Sequence, residues 1–181
     1  MTAAVVVRLY TFLFADLVGF TSFTARHGDE RAADVAISFQ RDIEALAAAH
    51  GCEVVKSVGD GIMVRGEDGA AAVALARRIV ALAAQSRLPP LRVGLDTGPA
   101  VQRGADWFGS TVNTASRVTA AARAGELLIT ERARDACAHD AGVAPHDRGR
   151  HGLRGLPDQP LFGFAPAQSC SVATMSTLQR A

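Results

Sequence analysis

Two aspartates stand where strands should end. Asp16 closes a β-branched and aromatic run, residues 5–15, and Asp60 sits in a Gly59-Asp60-Gly61 turn between two strand-like runs, 52–58 and 61–65. If the first strand lies beside that hairpin, both carboxylates reach the same rim of one sheet. Carboxylates held close repel one another unless a cation lies between them. Mg²⁺ suits such a place, because it takes a few carboxylates and leaves its other positions to water and phosphate oxygens. Two ions sharing such acids form the clamp used in phosphoryl transfer. Taken singly, Asp16 also reads as the start of the next helix and Asp60 as a turn residue.

A second group of polar residues lies around Lys56, Asp106, Asn113 and Arg117. Lys56 is the only lysine among 19 basic residues. A chain that uses Arg almost everywhere has used a compact ammonium on a flexible stem at one place, although an exposed strand lysine is the plain alternative. Asn113 and Arg117 are four positions apart, so a helix places them on one face. By itself that pair also fits a solvated helix surface, and Asp106 fits an ordinary loop acid.

The elements that must position these residues follow from pattern. Residues 5–15 read as a central buried strand and 17–28 as a turn with a short helical piece. Asp29 to Ala49 carries Ala33, Val35, Ile37, Phe39, Ile43 and Leu46 at roughly helical spacing, with acids in its first turn and Gly51 past its end. The hairpin 52–65 follows, then an Ala-rich helix over 68–86, stopped by Pro89-Pro90. Leu91 to Asp96 reads as a strand, 98–109 as a Gly-rich loop and Ser110 to Arg123 as a helix punctuated by Gly125. A strand over 126–130, a helix over 131–139 and two or three short strands within 143–165 complete the pattern. This order predicts one α+β domain over 1–166, a mixed β-sheet with helices packed on one face, and a flexible C-terminal tail over 167–181.

Composition narrows the function classes. The chain has 181 residues, 49% hydrophobic and 20% charged, with formal net charge +1. That is a globular composition, and near-neutrality predicts no nucleic-acid partner held by bulk positive potential. No run approaches the ~20 apolar residues of a membrane span, and the N-terminus lacks the pattern of a signal peptide. Three cysteines, Cys52, Cys137 and Cys170, are far apart and suggest neither a disulfide framework nor a zinc site, so a cytoplasmic location is expected.

Four blocks carry a family resemblance. Phe14-Ala15-Asp16-Leu17-Val18-Gly19-Phe20-Thr21 and Lys56-Ser57-Val58-Gly59-Asp60-Gly61 resemble the two metal-site signatures of class III nucleotidyl cyclases. Arg92-Val93-Gly94-Leu95-Asp96-Thr97-Gly98 is similar to that family's R-x-G-x-x-x-G strand. The segment Asp106-Trp107-Phe108-Gly109-Ser110-Thr111-Val112-Asn113-Thr114-Ala115-Ser116-Arg117 is similar to its base-reading and transition-state segment. The blocks occur in family order, and linked blocks are far more specific than one glycine motif.

The resemblance implies a ferredoxin-like, palm-type cyclase homology domain acting as an adenylate cyclase, which closes ATP to 3′,5′-cyclic AMP and releases pyrophosphate. It implies that Asp16 and Asp60, with the Leu17 carbonyl, hold two divalent cations (Mg²⁺ or Mn²⁺). It implies that the backbone N–H groups of Val18, Gly19, Phe20 and Thr21 cradle the β- and γ-phosphates. Asn113 then orients the ribose, Arg117 stabilises charge on the α-phosphate, and Arg154, in Leu153-Arg154-Gly155, meets the triphosphate. Lys56 and Asp106 align with the base-reading pair. Adenine offers an acceptor at N1 and an amino donor at N6, the complement of an ammonium and a carboxylate, whereas guanine presents the reverse. Metal acids and base readers come from different copies, so a head-to-tail homodimer with shared sites is implied. A guanylate cyclase and an inactive nucleotide-binding dimerisation module are the competing readings.

Overall fold

The computed structural model describes residues 8–86, 88–138 and 144–164. Strand β1 (Leu9–Leu17) lies between two antiparallel neighbours, β3 (Gly61–Gly66) and β4 (Leu91–Pro99). With β2 (Cys52–Val58), β7 (Leu127–Thr130), β8 (His146–His151) and β9 (Gln159–Gly163) they form a seven-stranded sheet of order β2-β3-β1-β4-β7-β9-β8. Among the described strands only β4 and β7 pair in parallel, and α4 (Ser110–Ala121) makes the crossover between them. The α+β class and the mixed sheet are those expected from the sequence.

The pleat divides β1 and β4 between two faces. Leu13, Ala15 and Leu17 point with Leu91, Val93 and Leu95 into the main core, against α2 (Asp29–Ala49), α3 (Gly69–Gln85) and α5 (Glu131–Ala136). Helix α2 contributes Ala32, Val35, Phe39, Ile43 and Ala47, a stripe at three- and four-residue spacing. Ile37 lies off that stripe and is 66% exposed. Helix α3 starts at Asp68, whose carboxylate accepts from the N–H groups of Ala70 and Ala71 and so caps the helix.

The opposite face carries α4, so helices cover both sides of the sheet and not one. Gly94 makes this possible. A Cβ there would lie 2.2 Å from the backbone nitrogen of Thr119, so only glycine lets α4 sit this close to β4. Phe12, Met63, Trp107 and Ala115 form one cluster beneath α4, and Val118, Ala122, Leu128, Leu153 and Leu161 form another.

One segment differs from the sequence expectation. Residues 98–109 are not a plain loop, because β5 (Val101–Arg103) and β6 (Asp106–Phe108) form a separate two-stranded hairpin turning at Gly104, φ 60°. Three-residue strands are too short to show a period of two. Residues 17–28 contain the expected turn and short helix, α1 (Phe20–His27). The expected C-terminal tail lies outside the described residues. A buried polar knot ties β4 to α5: the Asp96 carboxylate accepts from Thr130 Oγ1 at 2.6 Å and from the Thr97 N–H at 2.9 Å, and pairs with Arg132. Burial pushes the Asp96 carboxyl above the ordinary carboxylate range against these partners.

Candidate active site

Antiparallel register places Asp16 of β1 opposite Gly61 on one side and Arg92 on the other. The Leu17 N–H donates to the Asp60 carbonyl at 3.3 Å, which ties the end of β1 to the hairpin turn. Asp16 Oδ1 lies over Gly61, 3.6 Å from where a Cβ would stand, so the Asp16 carboxylate and the Asp60 turn share one rim. Arg92 lies against this rim. Its Nε donates to Asp16 Oδ2 at 2.7 Å and its Nη2 approaches the same oxygen at 2.5 Å. Asp60 is raised above the ordinary carboxylate range, first by burial and further by the negative charge of Asp16, while its backbone hydrogen bond and Arg92 oppose the rise.

A rim with excess negative charge fits a hard cation. Among the described residues no cluster of three or more His, Cys, Asp or Glu side chains forms a ready-made metal site. Asp16 and Asp60 alone leave most positions of an octahedral ion open to a main-chain carbonyl, water or phosphate oxygens, the donor set Mg²⁺ and Mn²⁺ accept.

Beside the rim, Gly19 adopts a left-handed conformation, φ 74°, and caps α1. The first-turn N–H groups of a helix have no partner within it, which leaves those of Phe20 and Thr21 directed outward at the positive end of the dipole. Val18 differs, because its N–H already donates to the Pro90 carbonyl at 2.7 Å. Phe20 and Phe23 stack at 6.1 Å and pack on the main core, fixing the entry angle of the helix.

Helix α4 presents Asn113 and Arg117 on its exposed side, one turn apart. Its N-terminus is fixed by Thr111, whose hydroxyl donates to the Pro99 carbonyl at 2.7 Å, and Thr119 donates to the Ala115 carbonyl at 2.9 Å. Lys56 and Asp106, fifty positions apart, meet: Nζ donates to Oδ2 at 2.6 Å. A register shift in β2 between Val54 and Lys56 accompanies this placement, as bulges re-aim side chains. The Trp107 N–H donates to the other Asp106 oxygen at 2.8 Å. The Lys56 hydrogen bond, helped by that N–H, holds the Asp106 carboxyl below the ordinary carboxylate range.

One cavity of about 260 Å³ is lined by Asp16, Lys56, Arg92, Phe14, Val58 and Ser116 among others, so the acid rim and Lys56 open on the same face. Arg154 is not brought to it. It is exposed in the turn between β8 and β9, and β8 forms the sheet edge opposite β2. Sequence reasoning named the strand Arg92 to Gly98 and gave Arg92 no role. The signal was the antiparallel register, which sets residue 92 opposite residue 16.

The chain has relatives among known proteins. The family model for the adenylate and guanylate cyclase catalytic domain matches residues 7–164. An adenylate cyclase of Streptomyces coelicolor is 37% identical over 136 residues, which cover 71% of this chain and 36% of the relative. A pH-sensitive adenylate cyclase of Mycobacterium tuberculosis is 36% identical over 133 residues, covering 71% of this chain and 32% of the relative. The chain thus spans about a third of the length of these curated relatives. The crystal structure of the adenylyl cyclase CyaB from P. aeruginosa matches with TM-score 0.76 at 24% identity, covering 89% of this chain and 95% of that one, and shows the same fold.

Proposed function

This chain belongs to the adenylate and guanylate cyclase catalytic domain family, and we propose that two copies of it, head to tail, convert ATP to 3′,5′-cyclic AMP and pyrophosphate. The observation that carries the choice of adenine is the Lys56–Asp106 contact at 2.6 Å. It sets one strong donor beside one acceptor on the face that also bears the acid rim. Adenine offers an acceptor at N1 and a donor at N6, so Lys56 and Asp106 each find a partner. Guanine would face donor with donor and acceptor with acceptor, and unpaired polar groups in a closed site can cost ~10⁴-fold in rate.

In the assembled pair, one copy contributes Asp16, Asp60, the Leu17 carbonyl and the N–H groups of Gly19, Phe20 and Thr21. The N–H groups bind the β- and γ-phosphates at the α1 terminus. The partner contributes Lys56, Asp106, Asn113 and Arg117. Asn113 orients the ribose, and Arg117 stabilises charge on the α-phosphate as the 3′-oxygen attacks phosphorus in line. The 3′-hydroxyl gives up its proton to solvent, the bond from the 3′-oxygen to the α-phosphorus forms, the bond from that phosphorus to the bridging oxygen breaks, and pyrophosphate leaves with the electron pair. Two divalent cations, Mg²⁺ or Mn²⁺, when bound at Asp16, Asp60 and the Leu17 carbonyl, would neutralise the triphosphate and acidify the 3′-hydroxyl. No helix among the described residues is long and apolar enough to cross a membrane.

Complementation tests the shared site. Asp16→Ala and Arg117→Ala proteins should each make cyclic AMP on the order of 10²–10³-fold more slowly than the native chain. Mixed in equal amounts they should recover about one quarter of native activity, since half of the pairs are mixed and each has one intact site of two. Failure to recover, with mixed pairs demonstrated by tags of different size, overturns the shared site.

A further inference from the structure

We propose that Arg65 is a positioning residue for base recognition: its guanidinium, packed against Trp107 and Tyr10, holds the β5–β6 hairpin so that Asp106 is presented to the nucleotide base. The inference rests on the reading of Lys56 and Asp106 as the base-reading pair.

The hairpin needs such an anchor. Strands β5 and β6 have three residues each and form their own sheet, with no backbone ladder to the seven-stranded one. Val101 and Phe108 are about half exposed, and Trp107 is the hairpin residue that is buried, 7% exposed. Its ring meets Tyr10 edge-on at 4.6 Å and Phe12 at 5.8 Å. The Arg65 guanidinium carbon lies 5.0 Å from the centroid of Trp107 and 5.2 Å from that of Tyr10. Cations at this range are attracted by the negative faces of aromatic rings.

Arg65 stands where the pattern of β3 calls for an apolar residue. Met63, two positions earlier, lies in the cluster with Phe12 and Trp107, and Arg65 pairs across the sheet with Phe12. Its charge is fully engaged at that place. Nε and Nη2 donate to Glu53 Oε2 at 3.3 and 2.8 Å, and Nη1 donates to Glu67 Oε1 at 3.0 Å. With its edge taken by two carboxylates, the planar group is held in place beside the rings, an arrangement a lysine ammonium cannot copy. The link to Asp106 is one residue long. The Trp107 N–H donates to Asp106 Oδ1, so a displacement of Trp107 moves the carboxylate that accepts from Lys56.

Trp107 is the only tryptophan in the chain, so its fluorescence reports the hairpin without any assay of activity. Arg65→Ala should shift that emission to longer wavelength and increase its quenching by acrylamide. It should also lower the ratio of kcat/KM for ATP over GTP by about tenfold, mainly by raising KM for ATP. Arg65→Lys should restore part of both readouts, and it decides the matter with the same measurements if Arg65→Ala fails to fold. In an Asp106→Ala background the Arg65 change should leave the ATP-to-GTP ratio unmoved, because residues acting through one group do not add. Loss of activity equal for both nucleotides, with unaltered tryptophan emission, overturns the proposal. If Asp106→Ala itself leaves the ratio unmoved, the base-reading assignment fails and the proposal falls with it. If Asp106→Ala changes the ratio and the Arg65 variants do not, the anchor alone is refuted.

Discussion

At the tip of β1 one cation, Arg92, faces two carboxylates, Asp16 and Asp60. Across the hairpin one cation, Lys56, faces one carboxylate, Asp106. The first group keeps an excess of negative charge, and Asp60 is raised by burial and by its neighbour. The second group balances, and Asp106 is lowered by its partner. On the proposed reading, the difference matches what each place would receive. A rim with unbalanced carboxylates is completed by a cation, and a balanced donor and acceptor are completed by a neutral base edge that offers the opposite pattern. Charge imbalance is therefore as informative about a ligand as shape.

The largest effect should come from removing the imbalance. Asp60→Asn should lower cyclic AMP formation on the order of 10²–10³-fold, as loss of a group that organises charge in the transition state does. The same change should raise the melting temperature of the metal-free protein at neutral pH. Asp60 has a folded-state pKa above its unfolded value, so folding binds the proton more tightly than the unfolded chain does. Its cost to stability sets in as pH rises through the ordinary carboxylate range, and is complete above its own raised value. In the native chain added Mn²⁺ should offset that cost, and lowering the pH should weaken the response to Mn²⁺ because protons compete for Asp60. Melts in EDTA and in Mn²⁺ across pH measure all of this. A metal-free Asp60→Asn protein that melts lower than the native chain would contradict the charge argument.

Inverting the balanced pair should have a smaller and more selective effect. Lys56→Glu with Asp106→Cys replaces the donor by an acceptor for guanine N1–H and removes the carboxylate that repels guanine O6. The preference for ATP over GTP should fall by about 10²-fold or more, within the range that matched buried polar groups produce. Rates with both nucleotides under one metal condition measure it. An unchanged preference in this variant would sink the adenine assignment and leave the metal rim untouched.

How much of this could be read without coordinates depends on the range of the interaction. Helix α2 was legible to the residue, 29–49, because its stripe and its end at His50-Gly51 are local. The turn bearing Asp60 was legible because Gly-Asp-Gly between two apolar runs specifies a hairpin. The placement of Arg92 against Asp16 was not, since it depends on pairing residues 76 positions apart. The face occupied by α4 was hidden for a related reason. Sequence order says that a helix connects β4 to β7, and only the close approach of Thr119 to Gly94 shows on which side it lies. The Lys56–Asp106 contact was named through family resemblance, because nothing in the local pattern links residues fifty apart. Arg65 was passed over because a charged residue on an edge hairpin reads as solvated, whereas here two aromatic rings lie against it.

The smallest of these effects concerns Arg92 itself. Its ion pair with Asp16 is partly exposed, 35% and 24% for the two side chains, so solvent screens it and its contribution to stability is about 1 kcal/mol. Arg92→Gln keeps a hydrogen-bond donor and removes the charge. In EDTA the two carboxylates would then face each other without a cation, and the melting temperature should fall by about 2–4 °C for a domain of this size. Mn²⁺ should restore it, and the rise on adding Mn²⁺ should be larger than in the native chain, because no guanidinium competes for Asp16 Oδ2. A neutral donor at 92 that leaves both the metal-free melt and its response to Mn²⁺ unchanged would mean that Arg92 does not balance the rim in solution. The contrast between the two charged groups would then rest on Asp60 alone.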